Sequence, residues 1–312
     1  MRLSRGLLLT AGMLGVVAIA VTAVVAPRDR PRGLPPVSTR GDGTRVGEPV
    51  KLGERLYLIP GGGCNTAVFI TATGVVVVDP KFASSWPDLV TRIRGLTDKP
   101  VTHAISTHFH EDHAGASRVV PAGAQVVATE QALGEMARYG FLSDGSDGHL
   151  PTTRSYTDRL TLFEGPDRVT LVAPGPAHTG GDTLVVFHEA RVMHAGDMFP
   201  DKVPPIVHIE GGGDGVRFAA ALAATVASVS DVELVITGHG PVMRWADFAG
   251  FADFVQMLVD YVRAEMRFMR DKNQVFRAIP VPARYADYDL GRMYETLDEI
   301  DRSIRPRWQR VF

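Results

Sequence analysis

Thr107-His108-Phe109-His110-Glu111-Asp112-His113-Ala114-Gly115 follows directly on an apolar, strand-like stretch at residues 101–106. Three histidines and an aspartate crowd six consecutive positions of it. Imidazole nitrogen and carboxylate oxygen together form a borderline ligand set that favours zinc and accepts iron or manganese. If the strand continued, His108, His110 and Asp112 would share one face. If a helix begins at Asp112, the chain bends: His108 and His110 converge while Asp112 and His113 turn toward a second point. Gly115 suits the close turn. Such a loop can place ligands on two metals at once.

One cluster cannot fill two metal sites, so partners must lie elsewhere, and the chain carries candidates. Pro174-Gly175-Pro176-Ala177-His178-Thr179-Gly180-Gly181-Asp182 is a glycine-rich loop between two strand-like stretches, with His178 in it. Ala195-Gly196-Asp197 sets an aspartate just past an apolar strand, and Thr237-Gly238-His239-Gly240-Pro241 sets a histidine just past the last one. Strand ends and the loops beyond them are where α/β sheets build sites. His108, His110, Asp112, His113, His178, Asp197 and His239 divide into three for each metal with one shared. That leaves an open position for a bridging water.

Around these motifs the pattern is α/β. Residues 55–60, 66–71, 74–79, 101–106, 125–128, 168–173, 183–187, 192–195 and 233–237 read as short strands bounded by turn residues. Residues 86–96 and 216–229 have helical spacing, and a long amphipathic helix is expected over 245–270, its apolar face running from Phe251 to Met269. The tail, 280–312, mixes Pro280, Pro282 and tyrosines with charges; it is expected to pack on the domain or to cap a site.

The chain has 312 residues, 45% of them hydrophobic and 22% charged, enough for a sizeable core. A net charge of −2 gives no electrostatic reason to bind nucleic acid. The single cysteine, Cys64, rules out an intrachain disulfide and cysteine-only metal clusters. Arg2 and Arg5 precede an uncharged run at 6–26, the charged-then-apolar pattern of an export signal, with Ala18-Ile19-Ala20 as a small-residue cleavage site. The run is also long enough to anchor in a bilayer. Residues 1–26 are therefore expected to export the protein or attach it to the outer face of the membrane. A Pro/Gly-rich linker at 27–50, a catalytic domain at 51–245 and a helical extension at 246–312 follow.

The ordered set His-x-His-x-Asp-His, Gly-x-x-His-Thr-Gly, Gly-Asp and Gly-His-Gly resembles the metallo-β-lactamase superfamily over about residues 51–245. The resemblance implies an α/β fold of the αβ/βα four-layer sandwich type, with two zinc ions at one edge between the sheets. It implies His108, His110 and His178 on the first metal, Asp112, His113 and His239 on the second, and Asp197 bridging. It also implies hydrolysis of a lactam, ester or thioester bond in a small molecule by a metal-bridging hydroxide, with Asp112 orienting the nucleophile and relaying a proton. Class B β-lactamases of one subclass use a cysteine at the second metal; another subclass usually lacks an aspartate like Asp197. Glyoxalase-II-like thioesterases share all seven ligands. A true class B β-lactamase and a non-hydrolytic iron-binding redox module of the same fold are the alternatives. No G-x-G-x-x-G follows a strand and no G-x-S-x-G occurs, which disfavours a flavin domain and a serine nucleophile. Residues 198–215 are expected to contribute to substrate choice, with Lys202 and His208 as candidate contacts. His103, His188 and His194 read as structural histidines, Cys64 as a small buried residue, and His149 as a loop residue able to touch substrate.

Overall fold

The computed structural model describes residues 45–143, 151–266 and 271–305. The expected export or anchor segment, most of the linker, His149 and Met269 lie outside the described residues. Among the described residues no helix is long and apolar enough to cross a membrane.

Among the described residues thirteen strands form two sheets. The first runs in chain order through β1 (Val50–Lys51), β2 (Leu56–Ile59), β3 (Thr66–Ile70), β4 (Val75–Val78), β5 (Val101–Ile105), β6 (Gln125–Thr129) and β7 (Thr152–Tyr156). The second contains β8 (Arg159–Leu162), β9 (Val169–Val172), β10 (Leu184–Phe187), β11 (Val192–Gly196), β12 (Leu234–Thr237) and β13 (Met243–Arg244), also in chain order from edge to edge. The helices are α1 (Trp86–Arg94), α2 (Glu111–Ala114), α3 (Glu130–Arg138), α4 (Gly215–Ser228), α5 (Trp245–Met266), α6 (Lys272–Arg277) and α7 (Met293–Ile304).

β4 shows how the layers arise. All four of its valines are fully buried, which requires cover on both faces of the sheet. Val75 and Val77 point to one side and pack in a core with Leu89 and Ile93 of α1 and with Met136 of α3. Val76 and Val78 point to the other, where they meet Phe69, Val185, Phe187 and Ile236 between the two sheets. The outer face of the second sheet packs Leu184, Met193 and Val235 against α4, α5 and α7. Helices, sheet, sheet and helices therefore follow one another.

Strand direction decides where the chemistry lies. β4, β5 and β6 are parallel, so β4 and β5 deliver Asp79 and His108–His113 at one sheet edge. β9 and β11 are both antiparallel to β10, and β12 is parallel to β11. Their carboxyl ends therefore release His178, Asp197 and His239 together. This is the end of an α/β sheet at which ligands are bound.

Candidate metal centre

The loop after β5 bends as the second of the two expectations requires, one residue earlier than expected. α2 starts at Glu111, with His110 as its extended N-cap, and the His113 N–H donates to the His110 carbonyl at 3.0 Å. His108 and His110 are left before the bend, Asp112 and His113 within the helical turn.

His108 Nε2 and His178 Nε2 each lie 3.0 Å from His110 Nδ1, and Asp197 Oδ2 lies 3.7 Å from His178 Nε2. A second group adjoins it. His113 Nε2 is 3.3 Å from His239 Nε2 and 3.4 Å from Asp112 Oδ2, and His239 Nε2 is 3.5 Å from the same oxygen. Asp197 Oδ1 sits 3.5 Å from His113 Nε2 and 3.2 Å from His239 Nε2. Each carboxylate oxygen of Asp197 thus faces one group. The structure brings all seven sequence-identified residues together.

The electrostatics differ between the two groups. Burial, and then the neighbouring imidazoles, hold His108 well below its ordinary range and His110 down to about 3, so both rings are neutral with lone pairs free to ligate. Around His113 burial opposes charge, but Cys64 and the carboxylates of Asp112, Asp197 and Asp79 outweigh it and raise the ring well above its usual value. Burial raises Asp197, yet His113 and His239 pull it well below the normal carboxylate range.

These side chains fit a pair of cations. Asp197 Oδ1 is buried and faces only ring nitrogens, His239 Nε2 at 3.2 Å and His113 Nε2 at 3.5 Å, a donor set of the kind that shares a cation. Three ring nitrogens on one tetrahedral zinc at 2.0–2.1 Å would stand about 3.3 Å apart, close to the 3.0 Å separations here. The outward nitrogens are held as metal-ligating histidines require. His113 Nδ1 meets Asp79 Oδ2 at 2.8 Å, His178 Nδ1 the Ile206 carbonyl at 2.8 Å, His108 Nδ1 Thr107 Oγ1 at 3.1 Å and His110 Nε2 His208 Nδ1 at 2.8 Å.

Residues 59–239 match the sequence description of the metallo-beta-lactamase superfamily. The chain belongs to this superfamily. It is 31% identical over 157 residues to the 2,4-dinitroanisole O-demethylase subunit alpha of Nocardioides sp. (strain JS1661), a stretch that is 48% of this chain and 45% of that protein. The chain thus spans less than half of the length of that curated relative. The fold of the superfamily member is similar to a metallo-beta-lactamase from Pontibacter korlensis, with a TM-score of 0.57 at 18% identity, covering 68% of this chain and 99% of that one. It is also similar to the stereoselective inverting sec-alkylsulfatase Pisa1 from Pseudomonas sp., with a TM-score of 0.68 at 12% identity, over 83% and 50% of the two chains.

The other expected residues take different places. Lys202 Nζ is 2.9 Å from Asp247 and 2.8 Å from Asp287, a local ion triad. His208 stands behind His110. His194 spans buried backbone, with Nε2 3.0 Å from the Asn65 carbonyl oxygen and Nδ1 accepting from the Gly196 N–H at 3.1 Å. His103 rests edge-on against Phe163, and His188 Nε2 is 2.8 Å from Thr170 Oγ1.

Sequence reasoning missed three buried contributors. Asp79 orients His113. Asn65 Nδ2 donates to the carbonyls of Thr237 and Gly240 at 2.8 and 2.9 Å, clamping the turn that carries His239. Lys81 is wholly buried, its ammonium donating to the carbonyls of Ile59 and Cys64; burial lowers its pKa to about 8. Asp79 had a readable signal: it follows an all-valine strand, the same strand-end position that marked Asp197.

Proposed function

We propose that this superfamily member is a dinuclear zinc-dependent hydrolase of a small molecule with a lactam, ester or thioester bond. The observation that carries the reading is the meeting of two ligand groups at one carboxylate, Asp197. His108, His110 and His178 would hold the first cation, Asp112, His113 and His239 the second, and Asp197 both. When bound, the cations would lower the pKa of water and polarise a substrate oxygen.

The chain's own residues account for the rest. His239 and Asp112 keep 39% and 25% of their side-chain surface exposed, whereas His108, His113 and His178 are buried. Substrate and water therefore approach from the Asp112–His239 side. Asp112 orients the attacking water through its open oxygen and passes a proton to the leaving group. Buried His108, His113 and His178 exclude bulk water from behind, which strengthens every charge interaction in the site.

A second reading is favoured by the curated relative. Its name describes removal of a methyl group from an aryl ether, so an activated aryl ether joins the candidate substrates. Export or membrane attachment through residues 1–26 belongs to the same proposal, on the charged-then-apolar pattern there. The test is metal analysis with a hydrolysis screen of β-lactams, lactones, thioesters and nitroaryl methyl ethers. Two zinc ions per chain and turnover lost in a His108→Ala/His110→Ala variant are expected. Undiminished turnover by that variant, freed of metal, would falsify the scheme.

A further inference from the structure

Beyond the residues that match the superfamily, α7 reaches back to the cluster. Residues 205–208 carry both outer partners of two first-group ligands: the Ile206 carbonyl for His178 and the His208 ring for His110. The His208 N–H also donates to the His178 carbonyl at 2.8 Å. This segment lies in no strand, so no sheet ladder fixes it. α7 does. Arg292 Nη1 and Thr296 Oγ1 donate to the Pro205 carbonyl at 2.6 and 2.8 Å, and the Val207 N–H donates to Glu299 Oε2 at 2.9 Å. Arg292 Nη2 closes the set with 3.1 Å to Glu299 Oε1.

The arrangement exceeds what docking a helix needs. Leu297 and Ile300 already seat α7 in the outer core of the second sheet. Arg292, Thr296 and Glu299, spaced three to four residues apart, form an adjoining stripe directed at backbone of the ligand-bearing loop. We propose that α7 is a working part of the metal centre: through residues 205–208 it positions His110 and His178, and His208 is the positioning residue for His110. The inference rests on the metallohydrolase reading. With Nδ1 turned to a cation, His110 keeps its proton on Nε2 and donates it to His208 Nδ1, which fixes both ring angle and tautomer.

The test uses the full chain with zinc and with cobalt(II). His208→Leu and Arg292→Met remove the two links, and His208→Asn restores an acceptor oxygen near the position of Nδ1. Chelator competition is expected to show one of two sites weakened about 10–100-fold in the first two variants, the range for outer partners of metal ligands. The cobalt absorption of that site should shift, and His208→Asn should recover most of both. Should Arg292→Met not fold, Thr296→Val takes its place. Folded variants with unchanged affinity and cobalt spectrum, or equal weakening of both sites, would overturn the positioning role while leaving the hydrolase reading intact. A wild-type chain that binds neither metal would overturn both.

Discussion

The carboxylate of Asp79 receives three groups at once. The Thr107 N–H donates to Oδ1 at 2.7 Å, the Thr107 hydroxyl donates to Oδ2 at 2.8 Å, and His113 Nδ1 meets Oδ2 at 2.8 Å. Asp79 is fully buried and has a φ of 58°, a conformation unusual for a residue with a side chain. Burial without those bonds would cost several kcal/mol, so the residue persists because the ligand loop satisfies it. An Asp79→Asn variant keeps the shape but turns an amide N–H2 toward one of three donors. Zinc affinity at the His113 site should fall about 10–100-fold, measured by chelator competition; wild-type affinity would show that His113 needs no such support. The seven clustered residues were legible because each stands in a short motif at a strand end. Asn65 and the Ile206 carbonyl were not, because their partners are 172 and 28 residues away; Asp79 stands at a strand end too and was passed over for want of a motif around it. Lys202, the loop lysine after Asp197, is paired with Asp247 and Asp287, two partners 45 and 85 residues away that its own neighbourhood in the sequence does not announce.

Among elements, the buried strands were readable and the edges were not. β4, β5, β9, β10, β11 and β12 were expected to within one or two residues, since each is a short run dominated by apolar and β-branched residues and bounded by turn residues. β7 and β8 were missed. Each closes one sheet at an edge: β7, TTRSY, is exposed up to Tyr156 and has no apolar alternation, and β8, RLTL, alternates over only four residues. α3 was also missed, and α7 was expected only within a helical extension over 246–312, without bounds of its own. The same logic locates the cohesion of the fold between the sheets. Phe69 of β3 is 1% exposed and its ring lies 5.4 Å from that of Phe187 in β10. A Phe69→Ala variant should lose about 3–5 kcal/mol of stability, since the rigid strands around it cannot collapse into the gap. Urea unfolding measures this; a loss below about 1 kcal/mol would place the main packing elsewhere.

Across the whole molecule, the two sheets are joined at both strand ends by different means. At the end away from the cluster, Arg55 joins Asp167 and, at 2.6 Å, Glu189. At the other end the joint is the cluster, with His108–His113 from the first sheet and His178, Asp197 and His239 from the second. Burial raises the Asp167 carboxyl, but the Ala72 N–H and Arg55 more than offset it, so its pKa is lowered. Its contribution is therefore complete above the unfolded carboxyl value of about 3.9 and is lost as pH falls through the lower folded value. Asp167→Asn should cost about 1 kcal/mol or less near neutral pH, and the gap from wild type should close below about pH 4. A gap constant down to pH 2 would contradict that.

Cations held at the opposite end, as proposed, would act through mass action: a ligand that binds only the folded state at a thousand times its dissociation constant adds about 4 kcal/mol. Chelation should thus lower the melting temperature, and the His108→Ala/His110→Ala variant should show little of that shift. The two joints are separated by β4, whose four residues span roughly 13 Å at 3.3 Å each, beyond the distance at which substitutions usually couple. The losses from Asp167→Asn and from chelation should accordingly add to within about 0.5 kcal/mol. Thermal unfolding of both proteins with and without chelator decides it. Strong non-additivity would mean that the sheets are not clasped independently at their two ends but shift together, with Arg55 and the metal ligands reporting one motion.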